Sequence, residues 1–156
     1  MNVRIYTSLA ALLFMVTATN PPALAKNTDY RSPEQVPGTK TIYVEEAKAL
    51  YDRGVKFIDV RSPRLHNRRH ILGAHHLDLK HVYTETTLAA VAEKNEPIVI
   101  YCSGVKCSRS YKASEKAVSW GYSRVYYFRG GMADWRKAGY PIKSNNEQAA
   151  TNGSDQ

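Results

Sequence analysis

A β-branched run that enters a glycine-containing loop and leaves into a helix most limits what this chain can fold into. Pro97-Ile98-Val99-Ile100-Tyr101 is free of charge, as a strand buried on both faces should be. Cys102-Ser103-Gly104-Val105-Lys106-Cys107 follows as a loop, and residues 108–120 carry a helical pattern. This order puts Cys102 at the C-terminal end of a buried strand, where open α/β sheets bind their ligands. Loop N–H groups and the positive end of the next helix then face the sulfur, a setting that favours a thiolate and binds anions. A lone cysteine after a strand is otherwise an inert core thiol. Gly104, Lys106 and an N-cap at Ser108 build an anion cradle that a core thiol does not need. Cys102 is therefore read as a nucleophile.

The 156 residues suffice for one domain with a real core. Met1-Asn2-Val3-Arg4 carries a positive charge, Ile5 to Ala18 is largely apolar, and Ala23-Leu24-Ala25 has the small-x-small form that signal peptidase reads. This pattern predicts a cleaved secretory signal peptide over 1–25 rather than a membrane anchor, for which the apolar run is short. The mature protein is then expected in a bacterial periplasm, with no stable membrane insertion after cleavage. Thiols are prone to oxidation there. Cys102 and Cys107 are the only two cysteines. A bond between them would close a tiny ring and restrict the unfolded chain very little. A redox or sulfur-handling pair thus explains them better than a structural staple. The formal charge is +8, and loss of 1–25 removes only Arg4, leaving +7. Export argues against nucleic acid as a partner. The basic balance reads as a solvated surface, or as attraction for a small anionic substrate.

Residues 26–40 are polar, with Pro33, Pro37 and Gly38, and read as a flexible linker. A strand over 41–44, a helix over 45–53 stopped by Gly54, and a mostly apolar strand over 55–60 follow. Residues 61–76, rich in Arg and His, read as a loop, and 77–79 as a short extended piece. Helical spacing over 84–92 turns Leu88 and Val91 inward. The helix over 108–120 puts Tyr111, Ala113, Ala117 and Trp120 near one side, with Gly121 at its C′ position. A strand over 124–128, a Gly130-Gly131 turn and a short helix over 132–138 complete the unit. The folded domain is expected over 41–143, with a polar, disordered tail over 144–156. Strands alternating with helices predict an α/β fold, a mostly parallel sheet flanked by helices on both faces.

The folded part resembles a single-domain rhodanese, a sulfurtransferase family. Four motifs in the right order carry the likeness: Asp59-Val60-Arg61, His70-Ile71-Leu72-Gly73-Ala74, the six-residue loop from Cys102 to Cys107, and Gly130-Gly131-Met132-Ala133-Asp134-Trp135 with Gly139-Tyr140-Pro141. The resemblance implies that Cys102 attacks the outer sulfur of a small anionic donor such as thiosulfate, becomes a persulfide, and passes the sulfur to cyanide or a thiol, including one on a periplasmic protein. Loop N–H groups from Ser103 to Ser108 would hold the anionic sulfur, with no metal or organic cofactor. Asp59 then anchors loops rather than acting as an acid, and Trp135 belongs to the core. Lys106 is a candidate for donor binding, or else a solvated lysine. Arg69 stands where the family often has Gly and Leu72 where it often has Pro. Arg64, Arg68 and Arg69 make a basic cluster. Cys107 closes the loop as C-x4-C, either as a resolving thiol or as an inert side chain.

Other classes fit less well. A phosphatase or arsenate reductase needs C-x5-R, and here the sixth residue after Cys102 is Ser108, with Arg109 one place too late. A thiol–disulfide oxidoreductase using Cys102 and Cys107 is the best enzyme alternative, although C-x4-C is not its familiar C-x-x-C. A non-catalytic sulfur- or metal-binding module is the third. His66, His70, His75, His76 and His81 cluster in sequence, but without the spacing of a closed zinc site.

Overall fold

The computed structural model describes residues 29–144. The expected signal peptide lies outside the described residues. Twelve elements follow in order: β1 (Thr39–Ile42), α1 (Val44–Asp52), β2 (Lys56–Asp59), α2 (Pro63–Arg68), β3 (Arg69–Ile71), β4 (His75–His76), α3 (Glu85–Ala89), β5 (Ile98–Tyr101), α4 (Arg109–Ser119), β6 (Val125–Phe128), α5 (Gly131–Lys137) and β7 (Ile142–Ser144). Five strands form one sheet in the order β1-β6-β5-β2-β4, every pair parallel. No described helix is long and apolar enough to cross a membrane.

Strand β5 is the centre of this sheet because its side chains can be buried on both faces. Ile98, Val99, Ile100 and Tyr101 are all fully buried. Alternation along the strand sends Ile98, Ile100 and then Cys102 to one layer, with Ile58, Ala113 and Ala117. Val99 and Tyr101 point to the other, with Ile42, Phe57, Phe128 and Trp135. The same parity therefore puts the Cys102 side chain beneath α4. Trp135 is fully buried, as expected of a core residue, and its Nε1 donates to the Pro141 carbonyl at 2.9 Å.

Four local expectations change. Residues 61–76 are not a plain loop: they hold α2, β3 and β4. Helix α2 buries none of its residues, so no apolar stripe announces it. The expected linker is in contact with the domain from its described start. Ser32 and Val36 are buried, the Ser32 N–H donates to the Val105 carbonyl at 2.8 Å, and the Arg129 guanidinium donates to the Ser32 carbonyl. Polar composition and two prolines suggested a flexible arm, but backbone groups satisfied by the domain hold it down. The chain end also differs from a tail beginning at 144. Ser144 closes β7, which pairs antiparallel with β3 through Arg69↔Ser144 and Ile71↔Ile142; residues 145–156 are outside the described ones. Finally, α4 turns Ser110, Ala113, Ser114 and Ala117 inward, while Tyr111 and Trp120 flank this face half-exposed.

Candidate active site

The loop between β5 and α4 is held from below and from one side. From the side, the first turn of α5 supplies two hydrogen bonds: Met132 N–H to the Cys102 carbonyl at 2.9 Å and Ala133 N–H to the Ser103 carbonyl at 3.1 Å. Gly131 makes this approach possible. Its φ is +52°, and a Cβ there would sit 2.3 Å from the Cys102 carbonyl oxygen. From below, Asp59 is fully buried. It accepts from Arg61 N–H at 3.0 Å, Arg61 Nε at 2.8 Å and Tyr101 Oη at 3.0 Å, and from Arg61 Nη2 at 2.5 Å. His66 Nδ1 lies 3.0 Å away. Burial alone would raise the Asp59 pKa, but these hydrogen bonds and the Arg61 charge win and hold it below the usual carboxylate range. Asp59 is thus an anchor, as expected. Arg61 Nη2 continues the chain of contacts to the Arg69 carbonyl at 2.8 Å.

The structure brings Cys102 and Cys107 together as two free thiols, but assigns them unequal settings. Cys102 is only 1 % exposed. Its Sγ receives the Ser110 hydroxyl at 3.4 Å and lies 3.5 Å from the Cys107 carbonyl oxygen. Cys107 is half-buried. Its sulfur faces the Cys102 thiol and the backbone N–H groups of Ser103 and Arg109. Hydrogen bonding to the Cys102 thiol, the two N–H groups and the Arg109 charge bring Cys107 down to about 6. Burial, then the neighbouring sulfur, push Cys102 up.

This arrangement corrects two expectations. The loop N–H groups are not all free for a sulfur on Cys102: Cys107 N–H donates to the Gly104 carbonyl at 2.9 Å. Nor does the Ser108 side chain cap α4, where it makes no hydrogen bond at the N-cap position. That uncapped end leaves helix N–H groups available to a sulfur. Lys106 is exposed at the loop tip. It lines a cavity of about 590 Å³ with Ser103, Gly104, Val105, Cys107 and Ser108. Cys102 is not among the lining residues.

Sequence reasoning missed two contributors. Ser110, on the first turn of α4, is fully buried against the Cys102 sulfur. Arg109 pairs with the buried Asp78 and donates to the Val60 carbonyl at 3.3 Å, tying the start of α4 to the end of β2. A polar residue on the inward face of a helix is the only sequence signal for Ser110. The histidines do not converge on an ion. His66 stacks between His70 and His76, with centroids 3.9 and 4.2 Å away. Among the described residues no group of three or more His, Cys, Asp or Glu could hold a metal.

Comparison with known proteins agrees with this architecture. The family model for the rhodanese-like domain matches residues 43–138. A thiosulfate sulfurtransferase GlpE of Pseudomonas fluorescens is 35% identical over 105 residues, covering 67% of this chain and 91% of the relative. That of Pseudomonas paraeruginosa is 30% identical over 105 residues, covering 67% and 90%. Among solved structures, the Alr3790 protein from Anabaena sp. superposes with a TM-score of 0.59 at 23% identity, covering 71% of this chain and 98% of that one. With an α/β core of five parallel strands and helices, and with that match over 43–138, the chain belongs to the rhodanese-like domain family, as a single domain with distant homology to the GlpE thiosulfate sulfurtransferases.

Proposed function

We propose that the protein is a sulfurtransferase that loads sulfane sulfur onto Cys102. The placement of Cys102 carries this reading: it directly follows the central strand, buried under the loop with its sulfur against the Ser110 hydroxyl at the start of α4. The activity named for the GlpE relatives supports thiosulfate as donor. The neighbouring Cys107 thiolate accepts the Cys102 proton. The Cys102 thiolate attacks the outer sulfur of thiosulfate, a new S–S bond forms, and sulfite leaves with the electron pair of the old one. A thiolate or cyanide then attacks the outer sulfur of the persulfide and releases the Cys102 thiolate. No organic cofactor or metal enters these steps. Lys106, exposed beside the loop, attracts the anionic donor. The N-terminal pattern over 1–25 supports export to the periplasm, where the acceptor is a small thiol, a protein thiol or cyanide.

Intact mass of the reduced protein after thiosulfate treatment and removal of the excess tests the reading. The expected result is one added sulfur atom that is lost with Cys102→Ser. No adduct on the parent and none on Cys107→Ser would overturn it.

The sulfur contact favours a second reading, in which Cys107 resolves the persulfide. Its thiolate attacks the inner sulfur, a Cys102–Cys107 disulfide forms, and hydrosulfide leaves; an external dithiol restores the pair. This is the oxidoreductase alternative in its most specific form. Alkylation by iodoacetamide should label Cys107 first, with a rate that climbs through pH about 6 because the thiolate is the reactive species. Cys102→Ala removes the hydrogen bond that lowers Cys107, so the half-point should rise. First labelling at Cys102, or a half-point for the parent near the ordinary thiol value of about 8.5, would exclude this role.

A further inference from the structure

Ser103 and Ala133 separate the cavity over Cys107 from a second one. This second cavity has a volume of about 440 Å³, and its lining includes Arg61, Arg68, Arg69 and Arg136 but no acidic residue. Of these four guanidiniums, Arg61 is neutralised by Asp59. No described carboxylate pairs with the other three. Their charges press on one another: Arg136, then burial, Arg68 and Arg61 pull the Arg69 pKa down. Arg68 and Arg136 are exposed and Arg69 half-exposed, so solvent screens part of this repulsion, and a bound anion relieves what is left.

We propose that this cavity binds the carboxylates of an organic acceptor thiol, so that the site selects dicarboxylate thiols; the acceptor role rests on the sulfurtransferase reading above. Three cations without a carboxylate partner among the described residues call for more than one anionic group. Planar guanidiniums grip carboxylates through paired hydrogen bonds. The volume also exceeds what thiosulfate needs, since a water takes about 30 Å³ of liquid and ligand sites of about 300 Å³ upwards hold organic molecules. The arginines are carried on parts of the fold that position the loop. Arg69 lies in β3, pinned by β7 and by Arg61 Nη2 on its carbonyl. Arg136 lies on α5, whose first turn holds the Cys102 and Ser103 carbonyls. The cavity touches the loop at Ser103, the residue next to Cys102, and leaves the Cys107 side to the donor.

The test uses (methylthio)succinate, a dicarboxylate thioether that cannot accept sulfur, titrated calorimetrically into the full chain. Saturable binding is expected, with affinity about tenfold weaker in Arg69→Gln and in Arg136→Gln, as loss of a charge-assisted contact implies. Absent binding, equal affinity in the variants, or equal binding of neutral methylthioethanol would overturn the proposal. A second measurement follows discharge of preloaded persulfide. Mercaptosuccinate should react faster than 2-mercaptoethanol at matched thiolate concentration, and this preference should collapse in the double variant. Probe binding without persulfide formation would sink the sulfurtransferase reading and leave the anion site standing. Persulfide formation without probe binding would do the reverse.

Discussion

Cys102→Ser is expected to lower thiosulfate-to-cyanide transfer by about a thousandfold or more, since removing a covalent nucleophile removes the route itself. Folding should survive, because a hydroxyl occupies nearly the same space and Ser110 can still donate to it. Far-ultraviolet circular dichroism would check that. Cys107→Ser should behave differently. Cyanide turnover persists, because the sulfur still has its acceptor on Cys102, but the acidic limb of its pH profile moves up. In the parent the pair gives up its first proton near pH 6, through Cys107. Without that partner, Cys102 alone must ionise, in a buried position that pushes it upward. An unmoved limb would mean that the loop and helix activate Cys102 without help from Cys107. Full activity in Cys102→Ser would move the sulfur to Cys107, the residue that lines the open cavity.

The central strand, the cysteine loop and α4 were legible because their signals are local. A charge-free run that includes three β-branched residues reads as a strand buried on both faces, and glycines mark the turns beside it. The Gly130-Gly131 turn was legible too, but the sheet order and the α5 contact with the loop are tertiary and carry no local signal. Residues 61–76 were less legible. Helix α2 has no inward apolar row, β4 has two residues, and β3 exists only because β7 returns to it from far along the chain. The direction of the Cys107 side chain was beyond any spacing argument, since C-x4-C allows it to point into the loop or away. Arg136 is a whole domain away in sequence from Arg68 and Arg69, so their shared cavity is purely tertiary.

Asp59→Ala is expected to destabilise the fold by about 3–5 kcal/mol, because breaking a buried ion pair strands its partner. Arg61 is 3 % exposed, and without Asp59 its guanidinium keeps one hydrogen bond, to the Arg69 carbonyl, and its place over the Tyr101 ring, but no counter-charge among the described residues. For a domain near 100 residues this lowers the midpoint of thermal unfolding by about 15 °C or more. Much of the loss comes from the orphaned charge, so replacing both members with apolar residues should recover stability relative to Asp59→Ala. The dependence on pH has a definite sign. The folded protein holds Asp59 below its ordinary value, while the unfolded chain titrates near pH 3.9. The contribution is therefore complete well above about pH 4 and is lost as the pH falls from there through the folded value. Asp59→Asn keeps most of the shape and removes the titration, so its stability should be lower near neutrality and flatter below about pH 4. Thermal unfolding of the parent and both variants across this range decides the matter. If Asp59→Ala unfolds with the parent, the link from Asp59 through Arg61 to Arg69 is not what holds the α2–β3 turn beside the loop. A large loss would make that link the strut on which Arg69 is presented to the second cavity.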